Sequence, residues 1–279
     1  MAEQTVDASG VALALAEAGE GIPVVALHGL SATRHYVLMG SRTLERSGHR
    51  VIAYDARGHG GSGPAPDPSA YGYEDLAGDL TAVLDERAVE RAVLAGASMG
   101  AHTIARFALE RPDRVAAAVL ITPGHDPAEA GDPERLARWD ALAQGLRAGG
   151  VDGFMAVYEQ EALPERWRET VQTVVRQRLA RHQHPEAVAD ALEVVPRSQP
   201  FGSLEDLRAI DAPAVVVASH DGADPEHPYA LAEAYAGALA NARLVSEAPG
   251  ESPLAWQGGQ LSRVIGAVAS EAAREGLLR

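Results

Sequence analysis

The stretch with the most chemical content is Val93-Leu94-Ala95-Gly96-Ala97-Ser98-Met99-Gly100-Ala101-His102. A short apolar run ends in Gly96-x-Ser98-x-Gly100, and a helical pattern begins at once. A serine on so sharp a strand-to-helix turn holds its hydroxyl above a sheet, where it can attack a carbonyl carbon. The flanking glycines suit a turn too tight for side chains. The helix start behind the serine offers backbone N–H groups and a positive dipole end to a developing oxyanion. A lone Gly-x-Ser-x-Gly also fits an ordinary glycine-rich turn, so its weight depends on its company.

That company lies at the ends of other apolar runs. His28-Gly29-Leu30 follows Pro23 to Leu27. The glycine-rich loop Asp55-Ala56-Arg57-Gly58-His59-Gly60-Gly61-Ser62-Gly63 follows Arg50 to Tyr54. His125 closes a further run. Asp221 to His227 and Gly250-Glu251-Ser252 follow the last two. In an open α/β sheet such strand ends converge on one ligand-binding edge.

The elements that must position these residues are legible from periodicity. Residues 4–8 and 11–17 read as a hairpin about Ser9-Gly10. Strands are predicted at 23–27, 50–54, 91–95, 115–121, 213–218 and 243–246. Helices are predicted from Thr33 to about Arg46, then at 73–87, 99–110, 229–239 and 260–275. Strands and helices alternate, which implies a mostly parallel sheet covered on both faces. Between 126 and about 210 only helical patterns occur, at 133–148, 151–161, 164–182 and 185–194. This predicts an α/β core of residues 1–125 and 211–279 with an inserted helical cap over 126–210.

Composition narrows the function classes. The 279 residues carry a net charge of −15, and all 24 basic residues are arginine, without a basic stripe, so nucleic acid is not an expected partner. There is no cysteine, which excludes thiol catalysis and disulfides. No apolar run approaches the ~20 residues of a membrane span, and residues 1–5 lack a signal-peptide pattern. A soluble cytoplasmic protein with a small-molecule substrate, no membrane contact and no cofactor is the expectation. A homodimer stays open. His182 and His184 have no third ligand in view and read as surface residues, so no metal is expected.

With these motifs in order, the chain resembles the α/β-hydrolase superfamily, in its lid-bearing branch of esterases, C–C hydrolases and haloperoxidase-like proteins. The resemblance rests on His28-Gly29-Leu30, Asp55-x-Arg57-Gly58-x-Gly60-x-Ser62, Gly96-x-Ser98-x-Gly100 and Asp224-Pro225-Glu226-His227-Pro228, and it covers nearly the whole chain. It implies an eight-stranded sheet, Ser98 as nucleophile, and an oxyanion hole from the backbone N–H groups of Leu30 and Met99. It implies an acid just after the late strand. Asp224, with Pro228 four residues on, fits better than Asp221. His28 and Gly29 would shape the site, and His28 and His59 would serve as structural hydrogen-bonding groups.

The histidine of such a triad is expected after the last strand, in a Gly-His-Ser-Pro-like context. Here that context is Pro249-Gly250-Glu251-Ser252-Pro253, and no histidine follows His227. Glu251 therefore stands where the base is expected, and the triad is predicted to be atypical or incomplete. His125, His220 and His227 remain as substitute bases, His125 first, while His102 is expected to pack inside. In the cap, Trp139, Phe154, Met155, Tyr158 and Trp167 are candidates to line an apolar pocket over Ser98, although most would also pack the cap's own helices. The leading expectation is a serine hydrolase acting on a small ester, lactone, thioester or similar carbonyl compound. A lyase, decarboxylase or isomerase of the same fold, and a catalytically weak ligand-binding protein, are the alternatives.

Overall fold

The computed structural model describes residues 4–158, 164–222, 224–248 and 257–278. Its strands are β1 (Gln4–Ala8), β2 (Val11–Ala18), β3 (Ile22–Leu27), β4 (His49–Tyr54), β5 (Ala92–Ala97), β6 (Val115–Ile121), β7 (Ala214–Val217) and β8 (Ala242–Val245). They form one sheet in the order β1-β2-β4-β3-β5-β6-β7-β8. β2 runs antiparallel to both β1 and β4, and every other pair is parallel.

The central strands are apolar on both faces because helices cover both. Side chains alternate along β3, so Val24 and Ala26 enter one apolar layer while Val25 and Leu27 enter the other. On the first side lies α8 (Gly258–Arg274). It buries Leu261, Ile265, Val268, Ala269 and Ala272, a single stripe at helical spacing, against Val24, Val93 and Val119. On the second side α2 (Tyr73–Glu86) and α3 (Met99–Glu110) set Leu80, Leu84, Ile104 and Phe107 against Val25, Leu27 and Leu94.

The helix expected from Thr33 to Arg46 does not form. A short turn at Arg34–Tyr36 is followed by a four-residue helix, α1 (Thr43–Arg46). Buried Asp55 accepts from the Arg34 backbone N–H at 2.7 Å and also binds its guanidinium, pulling this segment onto the sheet edge. Met39 (φ 46°) and Gly40 (φ 77°) then reverse the chain, and left-handed residues cannot continue a helix.

Between β6 and β7 the described chain is helical: α4 (Pro133–Val157), α5 (Glu165–Leu179) and α6 (Pro185–Val194). The two helices expected around Gly149-Gly150 are the two arms of α4. Gly150, at φ 57° and ψ −141°, folds them back on one another. A Cβ on Gly153 would come within 2.1 Å of the Gly145 carbonyl oxygen, so the arms meet backbone to backbone. These helices share an apolar cluster of their own, which includes Leu146, Phe154, Val171, Val175 and Leu192. α7 (Tyr229–Ala238) follows β7.

Candidate active site

Ser98 sits between β5 and α3 with φ 49° and ψ −114°, a region that non-glycine residues rarely occupy. The surrounding structure holds it there. Its N–H donates to the Ile121 carbonyl at 3.0 Å, and its carbonyl accepts from the His102 N–H at 3.0 Å. The flanking glycines are sterically required. A Cβ on Gly100 would lie 2.4 Å from the Leu27 carbonyl oxygen, and one on Gly96 would lie 2.4 Å from the Gly100 carbonyl carbon. α3 therefore starts pressed against β3. Met99, as its first residue, has a backbone N–H that no helical carbonyl accepts, and the residue lines the cavity.

The Ser98 hydroxyl meets His227. Its Oγ lies 2.8 Å from His227 Nε2, and His227 Nδ1 lies 2.6 Å from Asp224 Oδ1. With Asp224 ionised, Nδ1–H donates to the carboxylate, which leaves Nε2 free to accept the serine proton. Acid and imidazole come from one turn of the loop after β7, three residues apart. The Asp224 N–H bonds the Asp221 carbonyl at 3.1 Å, and the His227 N–H bonds the Asp224 carbonyl at 3.3 Å. Gly124 makes room for the ring, since a Cβ there would stand 2.7 Å from His227 Cδ2. Burial alone would push the His227 imidazole down. The charge and hydrogen bond of Asp224, helped by Glu226, outweigh that and hold it above its usual value.

The imidazole on Ser98 is not the one the sequence reading put first. His227 occupies the place on Ser98 for which His125 was ranked first. The His125 ring packs edge-on against Phe201 at 5.3 Å, the backbone N–H of the residue donates to His102 Nε2 at 3.0 Å, and burial pushes its pKa down to about 4. Glu251, the other candidate, lies outside the described residues. Of the two acids, Asp224 is the one on His227. The Asp221 backbone N–H bonds Ser219 Oγ at 3.1 Å. His220 stacks on Tyr229 with ring centroids 4.0 Å apart. The signal for His227 was in plain view, inside the Asp224-Pro225-Glu226-His227-Pro228 motif.

Ser98 forms part of the floor of a cavity of about 470 Å³ between the sheet edge and α4 and α5. His28, Gly29, Leu30, Met99, His125, Trp139, Phe154, Tyr158, Asp224 and His227 line it, whereas the candidates Met155, Trp167, His220 and Asp221 are not among its lining residues. Phe154 and Tyr158 stack at 6.0 Å, whereas Trp167 is exposed under Arg166 and Met155 packs within the helical cluster.

Around the floor, histidines act as neutral braces. His28 Nε2 accepts from the Ala56 N–H at 2.9 Å, and its Nδ1 lies 2.8 Å from the Gly29 carbonyl oxygen. Burial lowers the His59 pKa to about 3. His102 Nε2 accepts from the Gly124 and His125 N–H groups at 2.9 and 3.0 Å, while its Nδ1 faces the Tyr73 hydroxyl at 2.9 Å. His182 is not the free surface residue it was expected to be. Its Nδ1 accepts from the Gly60 N–H at 2.8 Å and its Nε2 lies 3.1 Å from the Ser31 carbonyl oxygen, so the helical segment is tied to two core loops. Among the described residues no group of three histidines, aspartates or glutamates is placed to hold a metal ion, and no helix is long and apolar enough to cross a membrane.

Comparison with known proteins agrees with this architecture. A protein of Mycobacterium phage D29 named as a non-heme haloperoxidase is 39% identical over 164 residues, 56% of this chain and 58% of that protein. Epoxide hydrolase 2 of Siraitia grosvenorii is 36% identical over 122 residues, 42% of this chain and 37% of that protein. The matches thus span less than two thirds of these relatives. A thermophilic esterase from Thermogutta terrifontis superposes with a TM-score of 0.79 at 23% identity, over 98% of this chain and 99% of that one. The family model described as the alpha/beta hydrolase fold matches residues 22–252, the span that runs from β3 through Ser98 and His227, and the chain belongs to that family.

Proposed function

We propose that this protein is a serine hydrolase acting on a small ester, lactone or similar carbonyl compound. The observation that carries the reading is the line Ser98 Oγ to His227 Nε2 at 2.8 Å and His227 Nδ1 to Asp224 Oδ1 at 2.6 Å, at the floor of a largely apolar cavity. A nucleophile within hydrogen-bond reach of a base, itself oriented by a carboxylate, is the arrangement acyl transfer requires. In this mechanism His227 takes the Ser98 proton as Oγ attacks the carbonyl carbon. The Leu30 and Met99 backbone N–H groups stabilise the resulting oxyanion. His227 returns the proton to the leaving group, and water, activated by the same imidazole, releases the acyl group from Ser98. Asp224 keeps the imidazole in the productive tautomer and stabilises its charged form. α4 to α6 serve as the cap that keeps bulk water from the acyl-enzyme. The relatives named as hydrolases support the reaction class.

A fluorophosphonate probe tests this reading. It is expected to label Ser98 in the native protein, and Ser98→Ala is expected to abolish both labelling and turnover of p-nitrophenyl butyrate. Absence of labelling between pH 6 and 9 would overturn the hydrolase reading in favour of the non-hydrolytic alternatives.

A further inference from the structure

The cavity contains a charge that the hydrolytic machinery does not use. Arg178 lies in the last turn of α5, on the cap side, and lines the cavity. It continues a stripe of Val171, Val174 and Val175, all of which also face the cavity. The residue is half-buried, and its Nε is sealed from solvent without a hydrogen-bond partner. Among the described residues no ion pair or hydrogen bond takes up its guanidinium. The buried arginines among the described residues differ: Arg57 grips Asp79 through two bonds of 2.8 and 2.6 Å, and Arg34 is bound by Asp55. Burial lowers the Arg178 pKa, against the nearby Tyr158, Asp224 and Tyr36, yet a guanidinium stays charged in any protein.

An unpaired buried cation is costly, and its cost is recovered when an anion enters. From the unpartnered, cavity-facing Arg178 at the end of an apolar stripe, we infer that the protein selects carbonyl substrates bearing a carboxylate at the end remote from the reacting group. The guanidinium fork matches a carboxylate in two parallel hydrogen bonds, which a single ammonium could not. Trp139, Leu142, Phe154 and Val175 line the same cavity and fit an apolar spacer between the carboxylate and the reacting carbonyl. Asp224 and Glu226 also line the cavity and would oppose a dianion, so a singly charged carboxylate fits better than a phosphate. The field of the α5 C-terminus helps keep the arginine charged while the site is empty.

This inference deepens the hydrolase reading and rests on it, but binding can be measured without turnover. Calorimetric titration of Ser98→Ala with monomethyl glutarate and monomethyl adipate, against the corresponding dimethyl esters, is the test. The anionic ligand of fitting length is expected to bind about tenfold or more tighter than its neutral partner, the scale of a charge-assisted hydrogen bond. Adding Arg178→Gln should erase that preference, and Arg178→Lys should restore part of it. Equal binding of both ligand types, no binding of any monoester, or a preference that survives Arg178→Gln would overturn the proposal. Failure of the hydrolase reading shows instead as an unlabelled Ser98 in the unmutated protein.

Discussion

At the scale of single residues, the proposed mechanism rests on His227, whose Nε2 lies 2.8 Å from Ser98 Oγ. Its position predicts a ranking: His227→Ala should lower kcat/KM on an activated ester by about a thousandfold or more. His125→Ala should cost far less, because that ring packs on Phe201 rather than on Ser98. A larger loss from His125→Ala would return the base to that residue. The pH profile follows from the same geometry. Asp224 raises the His227 pKa above its ordinary 6.5, and only the neutral imidazole can accept a proton. Activity should therefore fall as pH decreases, with an apparent pKa above about 6.5. In Asp224→Asn the raising charge is gone, so the residual activity should persist to lower pH. An unshifted profile would show that Asp224 does not set the pKa.

At the scale of elements, the helical segment is fastened beside the loop that carries Leu30. His182 lies between α5 and α6, accepts from the Gly60 N–H and faces the Ser31 carbonyl oxygen at 3.1 Å, and the Gln183 N–H adds a 2.9 Å bond to the Gly60 carbonyl. Ser31 follows Leu30, whose N–H would stabilise the oxyanion in the proposed mechanism. His182→Ala removes two hydrogen bonds and should destabilise the protein by about 1–3 kcal/mol, read as a lower melting temperature. It should also lower kcat more than it raises KM, since a displaced Leu30 costs the transition state most. A fall in stability with unchanged kcat would confine His182 to a fastening role.

At the scale of the whole molecule, buried neutral histidines set the acid limit of the fold. His28, His59, His102 and His125 are all nearly inaccessible, and burial lowers each one's pKa, to about 3 for His59 and about 4 for His125. Unfolded, each would titrate near 6.5 and bind a proton that the folded protein excludes. Stability is therefore complete above pH 6.5 and is lost as pH falls toward the folded values. The slope is about 1.4 kcal/mol per pH unit for each histidine that is protonated only on unfolding. Against a typical total of about 5–15 kcal/mol, several such groups suffice to unfold a domain. The melting temperature should drop steeply between pH 6.5 and 4.5, and His59→Gln should flatten that drop. A melting temperature constant over this range would contradict the buried neutral assignment.

Much of this was written in local pattern. Strand and helix periods along β3, β5, α2, α3 and α8 are set by which faces are buried, and burial on a regular element repeats at a fixed spacing in the sequence. Gly96-x-Ser98-x-Gly100 was legible for a related reason: the turn excludes any Cβ, so only glycine fits beside the serine. Asp224 was legible from its spacing to Pro228. The base was not, because the choice among His125, His220 and His227 depends on where a loop places a ring, and no periodicity records that. His227 reaches Ser98 only because Gly124, more than a hundred residues earlier, leaves space for its ring. The helix expected after Thr33 failed for a similar cause, a long-range pull by buried Asp55 on Arg34. In the sequence Arg178 is one charge among many on a polar helix. Its place on a cavity without a partner among the described residues is a property of the packed molecule, since only packing decides which charges keep a counter-ion.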